Sequence, residues 1–438
     1  MNGYLQRWGM IVVAALAGAA LTMACLSTIR VSELSKGRSG LIAYLGMDYN
    51  IYTLDKDGVH LAAVTTDADV EGDTLRAYDL PAWAPDGQSL AFAGYSGPRD
   101  LSQPPVAGLF VARQDGSNLT QVYSSTQGLI YYYWSPDSQQ VGFLSNTSNQ
   151  SIAMKLVPAS GGEAETVDTG APFYWSWAPD SRTVLVHIGA EDGHLSLFQL
   201  GETTTENSLD ITPTIFRAPA YSPDGRRMLV AGKDAEGHPA LLLTDADGNN
   251  PQTIAEYTGV IAFTWSPDGT RIAYLISELA SDGAPGGSLT AVDPSGKQKP
   301  VELKDEAVYA FFWSPDSRSI AYVSKYNPPT ARLELAGLTS RQQTQAALAL
   351  RVMDVERGDT RLLLAPLLPT EGFLRLIPYF DQYHQSMTVW SPDSRNLVIS
   401  KYYEKDGDLQ PGIFVVDASG KSEPRRITDG LVAFWSWK

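Results

Sequence analysis

A short phrase recurs seven times along the chain and limits the possible folds more than any other feature. It reads Trp83-Ala84-Pro85-Asp86-Gly87, Trp134-Ser135-Pro136-Asp137-Ser138, Trp177-Ala178-Pro179-Asp180-Ser181 and Tyr221-Ser222-Pro223-Asp224-Gly225. It returns as Trp265-Ser266-Pro267-Asp268-Gly269, Trp313-Ser314-Pro315-Asp316-Ser317 and Trp390-Ser391-Pro392-Asp393-Ser394. The aromatic positions are 51, 43, 44, 44, 48 and 77 residues apart. Self-similarity at such a period marks a stacked repeat architecture. The phrase itself is a turn: Pro fixes φ, and the polar residues satisfy local backbone groups. Asp86, Asp137, Asp180, Asp224, Asp268, Asp316 and Asp393 are therefore read as structural turn residues.

The flanks of each turn are β-rich, as in Tyr131-Tyr132-Tyr133-Trp134 before one and Ile272-Ala273-Tyr274-Leu275 after another. A second turn follows in several repeats, as in Asp55-Lys56-Asp57-Gly58 and Asp245-Ala246-Asp247-Gly248. Each repeat of about 44 residues thus predicts four short antiparallel strands, A to D, which is the blade of a β-propeller. The runs need not alternate, because both faces of a blade pack on neighbours. At the ends, Leu41-Ile42-Ala43-Tyr44 reads as a strand B with no phrase before it. Phe434-Trp435-Ser436-Trp437 reads as a strand A with nothing after it. The expectation is an all-β, eight-bladed propeller over 41–438, closed by one C-terminal and three N-terminal strands. Such a seam pairs edges that would otherwise stay open.

These phrases resemble the TolB-type, WD-like propeller repeats found in TolB, the tricorn protease and relatives of dipeptidyl peptidase IV. The resemblance covers residues 41–438 and implies the fold; it implies no activity. The six-bladed TolB propeller carries an additional α/β domain, and the peptidases a hydrolase domain; neither is expected within residues 41–438.

From Trp8 to Ile29 no residue is charged. Such a stretch is long enough to span roughly 30 Å of hydrocarbon as a helix. Leu21-Thr22-Met23-Ala24-Cys25 also resembles a bacterial lipobox, whose Cys is lipidated. Residues 1–29 are thus either a signal/lipoprotein leader ending at Cys25 or a transmembrane anchor, and 30–40 a tether. Both place the remainder outside the cytoplasm, in the periplasm or at the cell surface. The chain carries 33 basic and 49 acidic residues, net -16, a balance that disfavours nucleic acid and suits a basic partner. Cys25 is the one cysteine, so no internal disulfide can form.

Strand parity puts the A–B and C–D turns on one face, with the tether, and the B–C and D–A loops on the other. Long B–C connections are expected at Tyr95–Gly108, Ser277–Gly287 and Tyr402–Gly412. The 77-residue interval holds two insertions. One, 326–348, has a helix-like stretch from Ser340 to Leu350. The other, 366–387, carries Phe373, Leu376, Tyr379, Phe380 and Tyr383, which either pack as a small subdomain or present an apolar patch to a partner. Asp67, Asp69, Glu71 and Asp73 alternate around Gly72 like a partial calcium loop, though a solvated acidic loop explains them as well. No other cofactor is implied.

No Gly-x-Ser-x-Gly elbow, Walker loop, paired-His zinc motif or Rossmann fingerprint occurs. His60, His187, His194, His238 and His384 are scattered and read as surface or turn residues. The functional expectation is a non-catalytic, membrane-anchored, protein-binding scaffold of the bacterial envelope. The alternatives are a glycan- or small-ligand-binding propeller using the central channel, and a propeller accessory to a separately encoded hydrolase.

Overall fold

The computed structural model describes residues 40–189, 193–277, 286–326 and 348–438. The expected anchor, Cys25, the tether up to residue 39 and most of the 326–348 insertion lie outside the described residues. Among the described residues no helix is long and apolar enough to cross a membrane. Leu348–Leu350, expected at the end of a helical stretch, instead open the strand Leu348–Asp354.

The described residues are mostly β-strand, arranged as five antiparallel sheets of four strands, one of seven and one of three. Within every sheet but the one that joins the two chain ends, the strands follow one another in chain order, as short turns between antiparallel neighbours require. The apolar runs become buried central strands; Thr183–Ile188, for example, is buried from Val184 onward. The seven-stranded sheet joins two repeats through one long strand, Val301–Trp313. Its first part pairs Leu303 with Leu289, and its second pairs Trp313 with Ile320. In the last repeat strand A shrinks to isolated bridges, Trp390 to Leu397 and Thr388 to Trp435. The terminal strands meet directly. Ile42–Leu45 lies between Ile51–Leu54 and Val432–Trp435, with Ile42 opposite Trp435 and Leu45 opposite Val432.

Two interactions recur between consecutive repeats. A buried indole N–H donates to the carbonyl just before the previous repeat's aromatic: Trp134 to Ala82 at 3.1 Å, Trp265 to Ala220 at 3.3 Å, and Trp390 to Phe312 at 2.9 Å. Trp83 reaches Phe434 in the C-terminal strand in the same way, at 3.2 Å. Each such ring also removes on the order of 200 Å² from water, worth a few kcal/mol. The second interaction runs along the turns. Ser138, Ser181, Ser317 and Ser394 take positive φ, and their hydroxyls accept the amide N–H of Asp86, Asp137, Asp268 and Asp316 of the preceding turn. Where Gly replaces Ser this bond is missing, and Gly225 and Gly269 sit against the preceding turn prolines Pro179 and Pro223.

The strand Ser89–Pro98 runs well into the segment expected as the loop Tyr95–Gly108, whose remainder opens the strand Val106–Arg113. The expected loop Tyr402–Gly412 is a continuous hairpin, paired out to Lys405 and Asp408. Asp406 and Gly407 both have positive φ, the demand of a type I′ turn, and Gly meets it without strain. Gly40 donates its N–H to the carbonyl of Lys438, whose backbone lies against Gly87 of the first phrase. The N-terminal chain therefore enters on the side of the Ser-Pro-Asp turns, here called the turn face.

Candidate functional site: an axis filled by its own chain

The insertion 366–387 does not form one helix. Thr370 caps α1 (Glu371–Leu374), its hydroxyl accepting the Phe373 N–H at 3.3 Å while donating to the Leu431 carbonyl. Pro378 then sits in the 3-10 turn Ile377–Tyr379, and α2 (Phe380–Tyr383) follows at once. Proline suits the start of a helical turn but not its interior, so the segment bends repeatedly instead of extending.

Those bends bring the insertion against the inner edge of one repeat after another. The α1 helix packs on Asn396–Lys405 and Val432–Trp435, and α2 on Val260–Trp265 and Val301–Trp313. Arg375 pairs with Asp79 at 2.8 and 2.9 Å. The hydroxyls of Tyr131 and Tyr174 donate to the Gln382 carbonyl at 2.8 and 3.0 Å, and the Tyr133 hydroxyl lies 2.7 Å from Gln385 Oε1. Phe380 packs on Phe311, ring centroids 4.8 Å apart, and Tyr383 meets Tyr131 edge to face at 5.3 Å. The insertion thus occupies the axis around which the innermost strands are arranged. It starts on the face opposite the turns and reaches far enough for His384 and Gln385 to meet Pro136, Pro179 and Pro223 of the turn face.

Asp381 is buried with the insertion, while Gln382, His384 and Gln385 are half-buried. The Asp381 carboxylate is raised above its ordinary range by burial, against the pull of Arg217, whose Nη1 lies 3.9 Å from it. His384 donates Nδ1–H to the Asp381 carbonyl at 2.7 Å, and burial pushes its pKa down to about 4. His187, also buried and lowered for that reason, contacts the Arg217 carbonyl at 2.9 Å. Asp381 Oδ1, Arg217 Nε and His187 Nε2 have no protein partner.

The residues marked from sequence as partner-binding are therefore placed differently from a surface patch. Phe373, Leu376 and Phe380 are buried, Tyr383 is half-buried, and only Tyr379, 44% exposed, faces solvent. The reason is the filled axis: the apolar side joins the main core instead of waiting for a partner. His187 is likewise a core group, not a surface one, whereas His384 is half-buried in the turn that follows α2. In the acidic loop, Asp67 is engaged by Arg76 and Tyr78, and Asp69 accepts the N–H groups of Glu71 and Gly72. Arg99 holds the Glu71 carbonyl. Protein groups thus occupy part of the donor set a calcium ion would use, and Asp73 joins no cluster with the others. The turn carboxylates work within their own turns, as where Ser135 Oγ donates to Asp137 and Ser391 Oγ to Asp393 at 2.6 Å. Two groups that sequence reasoning missed do gather ligand atoms within 4.8 Å of one another: Asp168, His194 and Glu206, and Asp234, His238 and Glu256. Only Asp234 and His238 are close in sequence, so spacing alone could not reveal the first group.

No family model matches the chain. An uncharacterized protein of Agrobacterium fabrum is 22% identical over 259 residues, covering 46% of this chain and 85% of that protein. Among solved structures, dihydro-heme d1 dehydrogenase NirN in complex with DHE is similar over 93% of this chain and 77% of its own, with a TM-score of 0.56 and 13% identity. A eukaryotic initiation factor is similar over 91% and 98%, at 0.50 and 12%. TolB from Acinetobacter baumannii is similar over 83% of both chains, at 0.37 and 13%. These likenesses show the fold alone. The resemblance to TolB-type propellers stands at that level. The repeats are blades of a β-propeller, and the insertion packs against the inner strands of several of them.

Proposed function

We propose that the protein is a ring-closed, eight-bladed propeller, held outside a membrane by its N-terminal segment, that docks an envelope protein without catalysing a reaction. Closure is supported by the composite terminal sheet and by its contacts on both sides. Trp83 of the next blade donates to Phe434, and the Trp435 amide donates to the Thr388 carbonyl of the last blade at 3.0 Å. The observation that carries the functional reading is the filled channel. A propeller whose axis is taken up by its own chain has its outer faces left for recognition.

Of those, the face opposite the turns favours docking. Met47, Leu101, Val106, Ile130 and Tyr379 are large, exposed apolar side chains at that end of the first three blades and the insertion. Around them stand exposed carboxylates at Asp48, Asp69, Glu71, Asp73, Asp100, Glu404, Asp406 and Asp408. Apolar anchors within an acidic surround match a partner with apolar and basic groups, with the charges setting on-rate and orientation. The turn face, where Gly40 leaves the fold, looks toward the bilayer in this arrangement.

The test is site-directed photocrosslinking in intact membranes. A photoreactive residue at Leu101 or Tyr379 should join the chain to one envelope protein, and the same residue at Arg182 or Lys297 on the turn face should not. Crosslinks to a protein from the turn face alone would overturn the reading.

A further inference from the structure

The mouth of the channel on the turn face holds a pocket of about 260 Å³. It opens where the repeat departs from its own rule. The fifth blade carries Tyr221 where the others carry Trp, and its innermost strand is only Ala220–Tyr221. The Trp177 N–H, buried at the edge of this pocket, has no protein partner, as is also the case for Trp313 and Trp435 in other blades.

The lining has a clear chemical character. Trp177, Tyr221 and Trp265 come from three consecutive blades, and the turn prolines Pro136, Pro179 and Pro223 close the sides. His384 and Gln385 of the insertion reach it from within the channel. Because His384 gives its Nδ1–H to the Asp381 carbonyl, its Nε2 carries a lone pair and accepts. Gln385 is fixed at one end of its amide by the Tyr133 hydroxyl, which leaves the other end to pair with a ligand. No Asp, Glu, Lys or Arg lines the pocket.

We propose that this pocket binds one uncharged, hydroxyl-bearing ring, a neutral pyranose free or at the end of a glycan. Apolar ring walls with a few fixed donors and acceptors suit the faces and hydroxyls of such a ring. The absence of a lining cation leaves nothing to offset a carboxylate, so uronates and sialic acids are poor ligands. The volume falls just below the roughly 300–1,000 Å³ of drug-sized sites, which selects a single ring over a chain. The site is independent of the docking face, since it lies at the opposite end of the channel.

Saturation-transfer NMR with methyl glucoside, methyl galactoside and N-acetylglucosamine, with glucuronate as the charged control, tests the assignment on the purified chain. At least one neutral ring should receive transfer and shift one indole N–H resonance, which Trp177→Phe assigns. Glucuronate should bind at least tenfold more weakly. Gln385→Ala should weaken binding about tenfold with the circular dichroism spectrum unchanged. Tyr221→Trp restores the repeat's own residue, fills the pocket and should abolish binding while preserving the fold. Failure of every neutral ring, equal binding of glucuronate, or full binding by folded Tyr221→Trp would each overturn the proposal.

Discussion

Arg375 and Asp79 form a two-point ion pair, Nη1 to Oδ2 at 2.8 Å and Nη2 to Oδ1 at 2.9 Å, across 296 residues of sequence. It fastens the channel-filling insertion to the second blade. The geometry is that of the fork-shaped guanidinium–carboxylate pair, which gains orientation as well as charge. The Asp79 carboxylate holds the Arg375 guanidinium firmly in its charged form. The pair is partly open to solvent, so its coupling should be modest. A double-mutant cycle with Arg375→Ala and Asp79→Ala, read by urea unfolding, should give a coupling of about 1 kcal/mol. No coupling would mean that the insertion is held by its apolar side and the Gln382 and Gln385 hydrogen bonds without help from this pair.

The interblade indole bonds give a second expectation. Trp134→Phe keeps most of the ring burial and loses the hydrogen bond to Ala82, leaving that buried carbonyl without its indole donor. The expected loss is about 1–2 kcal/mol in thermal or denaturant unfolding. Trp83→Ala removes a ring that is 1% exposed and should cost about 3–5 kcal/mol.

The turn serines give a third. Ser181 has φ 58° and accepts the Asp137 amide at 2.9 Å. Ser181→Ala keeps the left-handed strain and loses the bond, for a cost of about 1 kcal/mol. Ser181→Gly loses the same bond but relieves the strain, so it should be within about 0.5 kcal/mol of wild type. Unfolding midpoints of the two variants distinguish these outcomes.

Acid should weaken the insertion's hold. The folded-state pKa of His384 is about 4, below its ordinary 6.5, because burial disfavours the charged ring. The unfolded chain therefore binds more protons between those values, and stability rises with increasing pH across that window and is lost on acidification. The contribution is fully present above pH 6.5 and gone near pH 4. His187 is lowered for the same reason and acts in the same direction. Asp381, raised by burial, acts oppositely: its protonation on acidification favours the folded state. His384→Asn retains a side-chain N–H donor without a titrating ring and should flatten the stability profile between pH 4 and 6.5. An unchanged profile would show that His384 is hydrated in the folded protein.

Much of this architecture was legible in the sequence because it is local. The Trp-Ser-Pro-Asp phrases specify a turn and two strands with no reference to the rest of the chain. The apolar run Val184-Leu185-Val186-His187-Ile188 even signalled a buried histidine, though one polar residue in it was read as a surface group. The merging of two repeats through Val301–Trp313 was hidden, since one strand shared by neighbouring blades leaves no mark in a local repeat phrase. The insertion's position was hidden for a different reason. Phe373, Leu376 and Phe380 announce burial, but burial against several distant blades has no sequence period, and Pro378 interrupts any helical one. The channel-mouth pocket is legible only in hindsight, as Tyr221 in a column of tryptophans.

Hydrogen exchange read by mass spectrometry tests the filled channel most directly, using the intact protein. Amides of 372–387 should exchange slowly, at rates comparable to the inner strand Leu129–Trp134 that Gln382 and Gln385 touch. Complete exchange of that segment within seconds, while the strand stays protected, would contradict the account.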